Sequence, residues 1–307
     1  MDEWHAYESG IILRLDGAGC ITTATEYTSP PEACPDDEPS VSFKAGSILG
    51  NRLYVPTNTE VVIYEIPSFR QIGYLSLPWF NDIHHVCPAR NGNLLVVSTG
   101  LDMVAEVTSD GSTVREWAVL GGDPWGKFSR QIDYRKVATT KPHASHPNFV
   151  IEVGNDIWVS RAAQKDAICL TDPTRRVEFG NFPHDGVRKN GRIYFTTVNG
   201  HIHVVDEDTM TLAESIDLNK IDDRGVSLGW ARSILPLEDG LCWVGFTRLR
   251  PTKLQDNLSW VKHGFKQFYL PTRIALYDLV RQKLLREENI EPYGIHAIFS
   301  ILPTLKD

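Results

Sequence analysis

Apolar residues in this chain gather in short runs, bounded by Asn, Gly, Asp and Pro, and long stretches at helical spacing are not evident. Five segments repeat one pattern: a turn, a β-rich run, a short gap and a second run. They are RLYVPTNTEVVIYEIPS after Asn51, NLLVVSTGLDMVAEVTSDG after Gly92, DIWVSRAAQKDAICLTDPT after Asn155, RIYFTTVNGHIHVVDEDT after Gly191, and LCWVGFT with TRIALYDLV after Gly240. Leu, Ile, Val, Tyr, Phe and Trp at these places suit a pleated surface, and the Asn and Gly residues suit hairpin turns. A further apolar segment precedes each turn, and several repeats add a fourth, such as QIGYLSL from Gln71 and VREWAVL from Val114. Four antiparallel strands per unit make a propeller blade.

The second strands are predicted to start at Arg52, Asn93, Asp156, Arg192 and Leu241, spaced 41, 63, 36 and 49 residues apart. A basal period near 40 with two insertions follows. A lone strand, Ile295–Pro303, ends the chain, and strand-like residues from Gly10 to Tyr27 begin it. Joining them completes a sixth blade and removes an exposed sheet edge. The expected architecture is all-β: one six-bladed β-propeller over residues 1–307, its last blade closed by the N- and C-terminal strands.

The insertions, residues 119–145 and 248–272, lie on two connection types that emerge on one face of an antiparallel blade, which predicts two lids over one channel mouth. Counting back eight residues from the turns reaches comparable positions on the innermost strands: Lys44, His85, Asn148 and His184, with His146 two residues before Asn148. A one-residue shift brings in Arg232, and His296 opens the terminal strand. Lys44, His85, His146, His184, Arg232 and His296 are therefore expected to form a ring, with His84 and His143 directed elsewhere.

Four histidines from four repeats suit a divalent transition metal, with iron, zinc and copper all compatible, so His85, His146, His184 and His296 are the candidate ligands. Asp82 and Asp185 are placed to accept the remote imidazole N–H groups. Lys44 and Arg232 are the groups expected to hold an anion or meet developing charge.

Net charge is −8, which argues against a nucleic-acid surface, yet residues 119–145 and 248–273 carry eleven positive charges and several aromatics. Arg248, Arg250, Trp125 and Trp230 are accordingly the expected contacts for an anionic small molecule. Five scattered cysteines in no CxxC pair argue against a disulfide framework or a zinc knuckle. No apolar run reaches the roughly 20 residues of a membrane helix, and the acidic start, Met1-Asp-Glu-Trp-His, lacks a signal-peptide pattern, so a cytoplasmic address is expected.

The segments WFNDIHHV, NGNLLVVST, EVTSDG and PHDGVRKNGRIYFTT resemble the blades of propeller enzymes with histidine-lined channels. Three families share that likeness. Peptidyl-hydroxyglycine lyases hold zinc with three histidines from different blades, and carotenoid oxygenases hold iron with four. Bacterial arylsulfate sulfotransferases use histidines and an arginine without a metal. The resemblance implies an enzyme with His85, His146, His184 and His296 as ring members. Three readings stand at this stage: a metal-dependent enzyme of lyase, isomerase or oxygenase type, a metal-free His/Arg acid–base or transferase enzyme, and a non-catalytic propeller that binds a ligand or partner.

Overall fold

The computed structural model describes residues 7–37, 39–249 and 270–304. A two-stranded ribbon comes first, β1 (Gly10–Leu15) paired with β2 (Ile21–Tyr27). Five four-stranded antiparallel sheets follow. They are β3 (Ser47–Leu49) to β6 (Arg70–Leu75) through β4 (Arg52–Pro56) and β5 (Val61–Glu65), then β7 (Ile83–Pro88), β8 (Leu94–Ser98), β9 (Met103–Val107) and β10 (Thr113–Ala118). The third sheet is β11 (Pro147–Val153), β12 (Asp156–Arg161), β13 (Asp166–Cys169) and β14 (Arg176–Glu178). The fourth is β15 (Pro183–Lys189), β16 (Arg192–Thr197), β17 (His201–Asp206) and β18 (Thr211–Asp217), and the fifth is β19 (Trp230–Pro236), β20 (Leu241–Thr247), β21 (Arg273–Asp278) and β22 (Lys283–Asn289). A single α-helical turn, Leu218–Ile221, separates the last two sheets.

The fold is an all-β propeller of five blades, each a meander whose order in space is its order in sequence. Four of the five second strands begin at the predicted residue, and β8 begins one residue late, at Leu94. The turns explain this accuracy. Between β15 and β16 the loop is Asn190-Gly191, both at positive φ (51° and 72°), the pair that a tight hairpin favours.

The expected sixth blade does not form among the described residues. β1 and β2 pair with each other alone, and Ile295–Pro303 contains no strand. Its backbone is met by hydroxyls: the Ile298 N–H donates to Thr247 Oγ1 (3.1 Å), and the His296 carbonyl accepts from Thr272 Oγ1 (3.0 Å). Apolar Ile298 and Phe299 are buried all the same, so the segment packs like a strand without joining a ladder.

The chain divides into two compact units, His5–Arg176 and Val177–Pro303. In the first, side chains between neighbouring sheets form the core: Tyr54, Val61, Phe80, Val86 and Val96 in one cluster, Leu95, Val97, Val150, Val159 and Ile168 in the next. β8, LLVVS, is buried on both faces and so reads as a continuous apolar run. In the second unit, Ile202, Val204, Ile234, Val244, Phe246 and Tyr277 play the same part. Each such side chain contributes roughly 1.5–3 kcal/mol on burial, which makes these layers, and not the exposed ion pairs, the dominant stabilising term.

Candidate functional site

Four of the five first strands carry a one-residue register shift at their opening: Ile83/His85 in β7, Pro147/Val150 in β11, Pro183/Gly186 in β15 and Ala231/Ser233 in β19. Such a bulge re-aims the side chains around it. In the first unit it turns His84 toward a polar cluster built from three chain segments. The segment leading into β3 supplies Lys44, the opening of β7 supplies Asp82 and His84, and the approach to and opening of β11 supply His143, His146 and Asn148.

Asp82 Oδ1 lies 3.3 Å from His84 Nε2 and 3.8 Å from Lys44 Nζ. His84 Nδ1 faces Asn148 Oδ1 at 2.6 Å, and Asn148 Nδ2 is directed at the His146 carbonyl (3.3 Å). The His84 and His146 rings meet edge to face with centroids 4.8 Å apart. His146 Nδ1 and His143 Nδ1 are 2.9 Å apart, within a shared N–H···N hydrogen bond. Burial pushes the Asp82 carboxyl up, but the neighbouring His84 and then Lys44 outweigh it and hold the group well below the usual range. Burial lowers His84 and His143 and takes His146 well below the ordinary imidazole value, so these rings are neutral near pH 7.

The backbone here is constrained. Asp82 (φ 45°) and His146 (φ 57°) occupy the left-handed region, which costs a non-glycine residue on the order of 1–3 kcal/mol. The Asp102 carboxylate holds the His146 segment in place by accepting from three successive amides, Ala144 (2.7 Å), Ser145 (3.0 Å) and His146 (2.8 Å). Asn81, beside Asp82, donates to the Tyr134 and Val137 carbonyls (both 2.8 Å) and so ties insertion 119–145 to β7.

The expected ring is redrawn by these facts. His85 points into the core against Phe149 (centroids 4.6 Å apart) and both its ring nitrogens are engaged. Nδ1 accepts from the Val150 N–H, and Nε2 faces Ser47 Oγ, each at 3.2 Å. His84 and His143, expected to point elsewhere, are cluster members. His184, Asp185, Trp230, Arg232 and His296 belong to the second unit. There Arg232 lies over the Trp230 ring (4.5 Å) and the Phe299 ring (5.0 Å), and the His184 ring sits 6.2 Å from Phe299. His296 is exposed, unlike buried His184. Asp185 is buried, and burial raises its carboxyl well above the usual value.

The donors do not suit the four-histidine metal site. His85 has no lone pair to spare, because Nδ1 accepts from the Val150 N–H and Nε2 faces a Ser47 hydroxyl that accepts its proton while donating to the Val86 carbonyl. Among the described residues no group of three or more His, Cys, Asp or Glu side chains is arranged to hold a metal ion.

Among the described residues, several of the insertions' positive charges are paired with carboxylates. Arg130 pairs with Glu116 (2.5 Å) while covering the Trp125 ring (4.3 Å), and Trp125 itself donates to Glu116 (2.8 Å). Arg135 pairs with Asp133 (2.7 Å) and Lys136 with Asp36 (2.9 Å). Arg248 grips Glu291 with two nitrogens. Arg250 and the rest of the second insertion through residue 269 lie outside the described residues.

No family model matches the chain, and no curated protein matches it. Solved structures do. A protein of unknown function from Bacteroides caccae aligns at 12% identity over 87% of this chain and 85% of its own, with a TM-score of 0.56. A streptogramin B lyase aligns at 13% identity over 93% and 83%, and virginiamycin B lyase from Staphylococcus aureus at 13% over 92% and 78%, each with a TM-score of 0.50. At such identities the likeness is one of fold. Among the described residues no helix is long and apolar enough to cross a membrane.

Proposed function

We propose that this protein is an acid–base enzyme whose working groups are Lys44, Asp82, His84 and His146, and that it promotes proton abstraction and elimination on an anionic small molecule. The observation that carries this reading is the Lys44–Asp82–His84 array, in which one buried carboxylate is flanked by an ammonium and an imidazole. His84 presents both ring nitrogens to oxygen acceptors, Asp82 and Asn148, so a proton taken up there is met on both sides. A neutral imidazole serves one of those acceptors, and an imidazolium serves both. That arrangement favours a group that takes up and returns a proton in turnover. Lys44 supplies the positive charge that a substrate carboxylate, or a developing carbanion or alkoxide, requires. A lyase-type reaction is in keeping with two of the structurally similar proteins, which are named as lyases.

The test is turnover of a streptogramin B and of a panel of small carboxylates and phosphate esters, followed by mass spectrometry. Product formation by the native chain, reduced about 10²–10⁴-fold in His84→Ala, is the expected result. Absence of product throughout, or turnover unchanged in His84→Ala and Lys44→Ala, overturns it. Elemental analysis of tag-free protein runs alongside. Stoichiometric iron, zinc or copper would replace the metal-free chemistry with the metal-dependent reading expected from the sequence.

A further inference from the structure

The hydrogen bonds behind His146 fix where its protons are. Thr140 Oγ1 lies 2.5 Å from the Gly100 carbonyl and 3.3 Å from Asn81 Oδ1. Both are acceptors. Gly100 offers a carbonyl, and the Asn81 amide nitrogen is spent on Tyr134 and Val137, so its oxygen faces Thr140. The single hydroxyl proton is therefore committed, and toward any third partner Thr140 is an acceptor. That partner is His143 Nε2, at 3.3 Å. His143 must then carry its proton on Nε2.

Burial keeps His143 neutral, so its Nδ1 bears a lone pair. The 2.9 Å contact to His146 Nδ1 can be a hydrogen bond only if His146 is the donor. His146 thus holds its proton on Nδ1, and Nε2 is left as the basic nitrogen. Among the described residues no hydrogen bond occupies that Nε2.

We infer that the pair Thr140–His143 sets the tautomer of His146 and so makes His146 Nε2 the general base of the site. Thr140 and His143 are positioning residues, and His146 is the catalytic one. In the step itself a substrate proton passes to His146 Nε2, and its bonding electron pair stays on the substrate, where Lys44 supplies the opposing charge. The resulting imidazolium keeps donating through Nδ1 to His143, which needs no proton shift of its own. Asp102, by holding the Ala144–His146 amides, keeps the ring in register. The catalytic role rests on the acid–base reading above, whereas the tautomers stand or fall separately.

The experiment is long-range proton–nitrogen NMR on histidine-labelled protein, with His143→Gln and His146→Gln used for assignment. The native chain should show His143 protonated on Nε2 and His146 on Nδ1. Thr140→Ser should keep that pattern. Thr140→Val, which removes the acceptor but not the shape, should lose it as His143 shifts its proton to Nδ1. Diethyl pyrocarbonate gives a second readout, because it acylates an unprotonated imidazole nitrogen. His146 should be modified in the native chain and in Thr140→Ser, with that reactivity lost in Thr140→Val. A native His146 protonated on Nε2, or an unchanged pattern in Thr140→Val, overturns the relay. Correct tautomers without turnover of any substrate would instead overturn the proposed function and leave the relay standing.

Discussion

The openings of β7 and β11 in the first unit and of β15 and β19 in the second place polar residues at matching strand positions, with opposite electrostatic results. Aligned on the bulge, His84 corresponds to Asn148, His184 and Arg232, and His85 to Phe149, Asp185 and Ser233. In the first unit the acid, Asp82, has Lys44 and His84 within 4 Å and is held charged. In the second, Asp185 is met by the backbone N–H groups of Gly186 and Ile234, which do not offset its burial, and it is held neutral. Arg232 there is paired by stacking on aromatic rings. Comparable strand openings therefore yield a charged acid–base array in one unit, and a buried acid of raised pKa with a stacked cation in the other.

The sharpest way to break this comparison is to disable one member on each side. His84→Ala should lower turnover about 10²–10⁴-fold if the first-unit array does the chemistry. Asp185→Asn should change it far less. If Asp185→Asn is instead the crippling substitution in the same kinetic assay, the assignment of the working site to the first unit is wrong.

Two buried histidines give the next largest contrast, and it is one of sign. His85 is fully hydrogen-bonded and burial lowers its pKa to about 3, whereas His203 in the second unit has neither ring nitrogen hydrogen-bonded among the described residues and is lowered by burial to about 4. Both contribute stability in the neutral form, present above the free imidazole value of 6.5 and lost as pH falls toward 3–4. His85→Phe strands the Val150 N–H in the core and should cost about 1–3 kcal/mol at pH 7. His203→Phe keeps the stack on Phe179 (centroids 5.2 Å apart) and removes two unpaired polar atoms. It should stabilise the chain and flatten the acid side of its stability profile. Thermal melts from pH 7 to pH 4 decide both.

Asp185→Asn carries a smaller effect on stability. A carboxyl whose folded pKa is raised binds more protons in the folded than in the unfolded state, so stability declines as pH climbs from the unfolded value of about 4 toward the folded one. An amide removes that decline. The expected gain is about 1 kcal/mol at pH 8, or roughly 2–4 °C in the melting midpoint, and none at pH 3. A loss at pH 8 would show that the carboxylate form of Asp185 is the stabilising one.

Turn chemistry made the blades legible. Asn or Gly ahead of each apolar run located all five second strands within one residue. The sixth blade failed because the apolar pattern of Ile295–Pro303 reports burial, and burial here comes without a ladder. The register at His84 and His85 was misread for a different reason. Counting from the turns assumes two-residue periodicity along the whole strand, and a bulge adds one residue, which exchanges the faces. His84 and His85 traded roles in this way. Asp82-x-His84 and His143-x-x-His146 were visible spacings, but His143 lies in an insertion whose path is set by Asp102 and Asn81. No periodicity reports such a path.

The smallest effect concerns Arg248, which was expected to contact an anionic small molecule. Its guanidinium instead holds Glu291, whose carboxylate also accepts from the Thr272 N–H at 2.8 Å. Burial pushes Glu291 up, but the Thr272 amide and Arg248 outweigh it and hold the carboxyl below its usual range. The pair therefore stabilises above the unfolded carboxylate value and fades as pH falls through the folded one. Because Arg248 is about half exposed, the contribution is modest. Arg248→Glu places a second carboxylate against Glu291 and should cost about 0.5–1 kcal/mol at pH 7, less at 1 M salt, and little at pH 3. Thermal melts at the two salt concentrations check this. An unchanged midpoint, together with weaker binding of inorganic phosphate by calorimetry, would return Arg248 to the anion-binding role that the sequence implied.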